Sequence, residues 1–306
     1  MPTKGLTLAE LNEHFADEDD CREFLAELRW PDGIRCPKCD SASVSTLKKR
    51  NQYDCNKCRH RFSVRAGTIF NDSKLQLRTW FLAVYIMVQS KKGVSANQLM
   101  RMLGVTYKTA WYLCHRIRKA MENSDQEPLR GVVELDETYV GPKGRRADGT
   151  AFSHKAVVIA AVQRGGEMRA RVIPNRRAKP VRKFIAENIH DDAEAIYTDE
   201  APVYTGIGDH NTRHETVRHK RQYDKDLIAR REWVRGDVHT NTVEGVHSIL
   251  KRSIIGTFHH LSVKHLPAYV DEIEWRHNNR NNEYLFRDTM LELIKADPLE
   301  YKKLIA

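Results

Sequence analysis

The chain has 306 residues, with 51 Lys and Arg against 41 Asp and Glu and a formal net charge of +10. Hydrophobic residues make up 41% and charged ones 30%, which excludes a low-hydrophobicity disordered chain and leaves material for two or three domains. The longest apolar run, Trp80–Val88, is nine residues, whereas a membrane span needs about 20. The first fifteen residues lack the apolar stretch of a secretory signal. A soluble cytoplasmic protein is expected, with no membrane partner, and its basic balance points to an anionic partner such as nucleic acid.

Residues 1–30 read as an N-terminal helical segment. Leu8, Leu11, Phe15, Phe24, Leu25 and Leu28 are spaced for a buried face. Residues 31–68 follow as a compact module built on Cys36, Cys39, Cys55 and Cys58. These form two CxxC pairs separated by fifteen residues. A two-residue gap lets both thiolates of one turn face one metal, and two such turns complete a four-sulfur shell, so structural zinc is expected. Lys38, Lys57, Arg59, His60 and Arg61 flank the turns and favour the thiolate form. Cys21 and Cys114 stand alone and read as core residues.

Residues 72–122 turn helical. Leu77, Phe81, Val84, Tyr85 and Val88 form a stripe at steps of three and four. Ser95-Ala-Asn-Gln98 is a helix-start pattern. It opens a helix over Ala96–Leu103 that ends at Gly104, and a second helix runs over Tyr107–Met121. Two helices joined by a short glycine-containing turn match a helix-turn-helix. On the second, Ala110, Leu113, Cys114 and Ile117 would face the core. Lys108, Tyr112, His115 and Lys119 would form the opposite stripe, with Arg116 and Arg118 beside it. Such a basic, aromatic-bearing stripe suits a DNA groove; it equally fits a small bundle with a solvated basic face.

A polar linker holding Pro128 precedes a domain over 130–283. Strands are expected at Gly131–Val140, Ala156–Gln163 and Met168–Ile173, with Gly165-Gly166 as a hairpin turn. A helix over Ala178–Ile189, a strand over Ala195–Thr198 and a short strand near Glu215–Arg218 follow. Helices at Val243–Ile255 and Ser262–Asn278 come next, and a C-terminal helix occupies 284–306. Strands and then alternating helix and strand make an α/β domain with a mixed sheet.

Three acidic positions stand out in this domain. Asp136 lies in an otherwise apolar strand, where alternation places Glu134 on the same side as a competitor. Asp199 ends a strand, where α/β sheets gather ligands. Glu244 shares a helix face with His247 and Lys251. Carboxylates from separate elements suit a pair of magnesium ions, and a lysine beside them suits a DNA backbone. Each also has an ordinary reading. Asp199 fits a turn cap, Glu244 fits the glutamate of a capping box with Asn241, and Asp136-Glu137 fits solvated turn residues.

Taken together, the motifs resemble bacterial insertion-sequence transposases that join an N-terminal zinc ribbon to a DDE catalytic domain. The resemblance rests on Cys36-Pro-Lys-Cys39 with Cys55-Asn-Lys-Cys58, then Phe62-Ser-Val-Arg-Ala-Gly-Thr-Ile-Phe70, Glu134-Leu-Asp-Glu-Thr-Tyr-Val-Gly141 and Tyr197-Thr-Asp-Glu200. His239-Thr-Asn-Thr-Val-Glu244, Lys251-Arg252, Gly256-Thr-Phe-His-His260 and Glu274-Trp-Arg-His-Asn-Asn-Arg280 complete it. It implies a ribonuclease H-like catalytic fold, double-stranded DNA as partner, and a homodimer or higher oligomer on DNA in a bacterial, nucleoid-associated setting.

The resemblance also implies Asp136 and Asp199 as metal carboxylates. Glu244 is the third ligand favoured, since Lys251 follows seven residues later, with Asn241 as the alternative. Magnesium, replaceable by manganese, would support hydrolysis of a phosphodiester at each element end and attack of the freed 3′-hydroxyl on target DNA. Two other readings stand beside this one: a non-catalytic DNA-binding regulator derived from a transposase, and another ribonuclease H-like nuclease. The positive charge concentrates at Lys143–Arg146, Arg176–Lys183 and Arg218–Arg235, the last holding seven Lys and Arg against three acids. Those segments are expected to form a track for the DNA backbone.

Overall fold

A computed structural model describes residues 5–122, 126–141, 155–208, 211–217 and 234–306. The chain divides into two compact units, one formed by 1–122 with 281–306 and the other by 123–280. Within the first, α1 (Leu8–His14) and α2 (Glu18–Arg29) each begin with a capping box, on Thr7 with Glu10 and on Asp17 with Asp20. These side chains satisfy backbone N–H groups that a helix start leaves free. A three-stranded antiparallel ribbon follows: β1 (Val44–Leu47), β2 (Gln52–Cys55) and β3 (Arg61–Phe62).

Next come α3 (Leu77–Gln89), α4 (Ala96–Leu103) and α5 (Tyr107–Met121). Gly104 ends α4 at φ 66, a left-handed conformation that a side chain resists. Thr106 then caps α5 by accepting the Thr109 N–H. The short link between α4 and α5 therefore has a local cause at each end.

The second unit is built on a mixed five-stranded sheet. Its strands are β4 (Val132–Val140), β5 (Ala156–Gln163), β6 (Met168–Ile173), β7 (Ala195–Asp199) and β8 (Arg213–Val217), in the spatial order β6-β5-β4-β7-β8. β4, β5 and β6 form an antiparallel meander, whereas β7 and β8 run parallel to β4. The β5–β6 turn uses Gly165 at φ +70.

Helix α6 (Ala178–Asn188) packs Val181 and Phe184 on one sheet face, against Val133, Leu135, Ile159 and Ile196. Helices α7 (Asn241–Ser253) and α8 (Leu266–Asn278) cover the other face, against Val158, Ala160 and Val162. Burying apolar side chains on both faces is what makes the sheet strands read as nearly continuous apolar runs. This is the mixed α/β architecture expected of a ribonuclease H-like domain. Helix α7 passes at its end into one wide turn over Ile254–Phe258, and α8 starts at Leu266, later than periodicity alone suggests, with Pro267 in its first turn.

The C-terminal segment forms α9 (Leu285–Lys295) and α10 (Tyr301–Ile305), and both belong to the first unit. Phe286 of α9 joins Phe15, Phe24 and Phe81 in an aromatic cluster with ring centroids 4.8 to 6.4 Å apart. Mostly edge-to-face, with Phe286 stacked on Phe24, this packing adds to the stabilisation from burial itself. Among the described residues, no helix is long and apolar enough to cross a membrane.

Candidate functional site

The cysteine module brings its four ligands together by local geometry. Each CxxC turn closes with a backbone bond of 2.9 Å, Asp40 N–H to Cys36 O and Arg59 N–H to Cys55 O. Asp40 and Arg59 both take positive φ, at 54 and 57. Two knuckles of one shape thus face each other across β2 and its neighbours. Cys36 Sγ lies 3.6 Å from Cys58 Sγ, and Cys39 Sγ 3.6 Å from Cys55 Sγ. Sulfurs held about 2.3 Å from one tetrahedral zinc stand about 3.8 Å apart, so this shell fits the ion. The backbone N–H of Cys58, with that of Lys57, pulls the Cys55 thiol below its ordinary pKa, towards the thiolate that zinc binds.

In the second unit the functional side chains come from separate elements. β4 and β7 pair in parallel, Val132 with Ala195, Val133 with Ile196 and Glu134 with Tyr197. Continued by two residues, this register would bring Asp136 level with Asp199, and strand parity puts both on the same sheet face. Both carboxylates reach solvent, with side chains 24% and 32% exposed. His247 Nδ1 from α7 lies 3.2 Å from Asp136 Oδ2. Asp199 Oδ1 accepts the Ala201 N–H at 3.0 Å, and Arg176 Nη2 lies 3.4 Å from Asp199 Oδ2.

Buried Tyr204 lies close enough to feel both aspartates. Burial first, and then the charges of Asp136 and Asp199, push its hydroxyl pKa well above the ordinary phenol range.

Glu134, the competitor of Asp136, has a different role. Its carboxylate is fully buried and accepts the backbone N–H groups of Thr242 at 2.7 Å and Val243 at 3.2 Å. Thr242 Oγ1 donates to it at 2.9 Å, and Arg164 and His239 lie at 3.0 and 3.2 Å. It caps α7 from the neighbouring strand and fixes that helix on the sheet. Glu137 likewise departs from the solvated-turn reading. It lies mid-strand and is buried, accepting the Tyr204 hydroxyl and pairing with Arg176.

Asn241 is exposed at the first position of α7. Glu244 is half-buried, and its Oε1 accepts the Thr240 hydroxyl at 3.2 Å. Lys251 is exposed further along the same helix. Among the described residues, the four cysteines are the one set of three or more His, Cys, Asp or Glu side chains with ligand atoms all within 4.8 Å of one another. Asp136, Asp199 and Glu244 do not form such a set.

The stripe expected to be exposed on α5 is corrected by its surroundings. Lys108 and Lys119 are exposed, but His115, Arg116 and Arg118 are buried at 2%, 3% and 2% exposure. Tyr112 is half-buried, and its hydroxyl donates to the carbonyl of Leu299. Lys108 Nζ sits 4.5 Å over the ring of Tyr301, and Lys119 pairs with Glu122. Arg116 lies over the Trp80 ring and donates to the carbonyls of Ile69 and Asn71. Helical periodicity within α5 cannot reveal these tertiary neighbours: Arg116 is covered from Ile69, Asn71 and Trp80, while the C-terminal segment meets Lys108 and Tyr112 through Tyr301 and Leu299.

In the Arg176–Lys183 run, Arg176 turns inward to Glu137 and Asp199, while Arg182 donates to the Thr205 carbonyl. The basic stretches 143–146 and 218–233 lie outside the described residues.

Comparison with known proteins follows the same division of the chain. The model of an ISXO2-like transposase domain matches residues 128–278, and that of a transposase zinc-ribbon domain matches 16–61. The chain is 30% identical over 283 residues to an uncharacterized protein in transposable element ISH50 of Halobacterium salinarum, covering 86% of this chain and 91% of that one. The chain therefore belongs to the insertion-sequence transposases that carry a zinc ribbon ahead of a DDE domain.

Among solved structures, the catalytic core of BIV integrase is 16% identical with a TM-score of 0.28, covering 49% of this chain and 83% of that one. A simian T-cell lymphotropic virus intasome, in complex with PP2A regulatory subunit B56 gamma, is 14% identical with a TM-score of 0.28, covering 64% and 66%. These likenesses are loose, and the family assignment rests on the sequence matches.

Proposed function

We propose that this transposase binds the terminal repeats of its element, hydrolyses a phosphodiester at each end and joins the freed 3′-hydroxyls to target DNA. The observation that carries this reading is the parallel register of β4 and β7, observed as far as Glu134 with Tyr197, which supports Asp136 and Asp199, both solvent-reaching, as neighbours two residues further on. Hard carboxylate oxygens in such a pair fit magnesium, which keeps several of its waters and needs few protein ligands. When bound, magnesium or manganese would activate the attacking hydroxyl and stabilise the departing oxygen.

The chain's own groups divide the remaining work. Glu134 holds the start of α7 against β4, so that α7 presents His247 to Asp136. Glu244 lies one turn before His247 and is the third carboxylate of this reading, with Asn241 as the alternative. Lys251 holds the DNA backbone as a point charge. The zinc shell is structural, since four sulfurs leave no open position. Lys108 and Lys119 meet DNA phosphates, with Tyr112 and His115 supporting α5 from within. Two ends must be processed together, which calls for a homodimer or larger assembly on DNA in the cytoplasm, at the nucleoid.

The test is strand cleavage of DNA carrying the element ends, with magnesium, by the full chain and by Asp136→Asn and Asp199→Asn. Cleavage that survives either substitution would overturn the assignment.

A further inference from the structure

Two carboxylates placed side by side repel each other unless a cation lies between or beside them. Around Asp136 and Asp199 that cation is Arg176, from the segment between β6 and α6. Its guanidinium engages two acids on neighbouring interior strands, β4 and β7. One is Glu137, whose side chain is 1% exposed and whose other oxygen accepts the Tyr204 hydroxyl. The other is Asp199, 3.4 Å from Arg176 Nη2.

These two contacts differ in kind. Glu137, buried, accepts the Tyr204 hydroxyl on one oxygen and ion-pairs with Arg176 through the other, so this contact ties Arg176 to a fixed, buried acid. The 3.4 Å approach to Asp199 is longer than a good charge-assisted bond, which runs at about 2.7–2.9 Å. It is also made by groups one-third exposed, 33% for Arg176 and 32% for Asp199. An arginine fixed at one end and loosely engaged at the other can release the second acid while keeping the first.

We propose that Arg176 is a positioning residue that stands in for the metal. Anchored on Glu137, it neutralises Asp199 when no divalent ion is bound and gives up Asp199 to the ion when one arrives. Arg176 thereby keeps the acidic edge folded before metal binding, and it competes with metal for one oxygen. This rests on the reading of Asp136 and Asp199 as metal ligands.

The test is Mn2+ binding to the full-length chain by calorimetry, together with melting of the metal-free protein. Arg176→Gln removes the competing charge and should tighten Mn2+ binding by roughly two- to tenfold, the range of a part-exposed ion pair. It should also lower the metal-free melting temperature. Arg176→Lys, which keeps the charge, should stay near wild type in Mn2+ affinity. Unchanged or weaker Mn2+ binding by folded Arg176→Gln would overturn the proposal.

Should Arg176→Gln fail to fold, guanidinium NMR of the wild-type chain titrated with Mg2+ decides. The Nη signal facing Asp199 should shift and the Nε signal facing Glu137 should not; an unmoved Nη signal contradicts the proposal. Asp199→Asn separates the two levels. If it binds Mn2+ as wild type does, the metal-site reading fails; if it loses Mn2+ while Arg176→Gln gains nothing, only the role of Arg176 fails.

Discussion

The cysteine shell of the ribbon and the proposed carboxylate site of the DDE domain are assembled by opposite means. In the ribbon, four sulfurs converge because two short turns of one shape face each other over a small antiparallel sheet. In the DDE domain, the proposed pair Asp136 and Asp199 depends on β7 returning to lie parallel to β4 in one particular register. Slipping that register by one residue would send every side chain of the strand to the other face. The ribbon's sulfurs are close enough to share one ion as they stand. The carboxylates are instead held by protein partners, His247 on Asp136 and Arg176 on Asp199. A local site can be tight by construction; acids gathered from separate elements need charge compensation from neighbouring side chains.

The contrast can be broken most forcefully at its two centres. Asp136→Asn should reduce magnesium-dependent strand cleavage by about 10³-fold or more, the scale of several kcal/mol of lost transition-state stabilisation. Its melting curve should stay close to wild type, since Asp136 is part-exposed. At the other centre, zinc chelation or Cys36→Ser should unfold the ribbon, because metal binding and folding are one equilibrium in such modules. The melting of the unit formed by 123–280 should not move in a calorimetric scan; a shift there would erase the proposed independence.

Glu134 sharpens the comparison from inside the catalytic domain. Glu134→Ala leaves Arg164 and His239 without their buried partner and frees the N–H groups of Thr242 and Val243. A loss of about 3–5 kcal/mol is expected in urea unfolding. A loss under about 1 kcal/mol would show that α7 is held by its apolar face alone.

Acidification gives a smaller effect of defined sign. Burial lowers the pKa of His214, His265 and His277, all in the second unit. Their unfolded forms take up protons first, so stability is fully present above about pH 6.5 and falls as pH drops towards the folded values. Glu274, raised by burial, works in the opposite sense, but it is one group against three histidines. Melting of the second unit should therefore fall between pH 7.5 and 5.5; no change, or a rise, would contradict the sign. The smallest effect is expected for Lys251→Ala, a few-fold weaker DNA affinity with a shallower salt dependence and no change in folding.

The sequence made some of this legible and hid the rest for physical reasons. The cysteine spacing revealed the ribbon because its ligands are neighbours in the chain. Strand alternation put Glu134 and Asp136 on one face, but could not say which was free to bind an ion. That depends on where the start of α7 comes to rest. The inward turn of Glu137 was within reach, since strand parity places it opposite Asp136, on a face that has to be buried. Arg176 was not, as its partners come from β4 and β7. On α5 the periodicity marked Ala110, Leu113, Cys114 and Ile117 as core, and all four are buried. It failed at His115, Arg116 and Arg118, which are buried, because periodicity within one helix cannot show its tertiary neighbours; Arg116, for one, is covered by Trp80 and the carbonyls of Ile69 and Asn71.

The central claim is that Asp136 and Asp199 form the metal-holding edge of the DDE domain. Manganese binding to the full-length chain, followed by electron paramagnetic resonance with zinc already in place, tests it directly. Wild type is expected to bind Mn2+, and Asp136→Asn and Asp199→Asn each to weaken binding by at least about tenfold, or about 1.4 kcal/mol, while both stay folded. Equal Mn2+ binding by wild type and the two variants would contradict it.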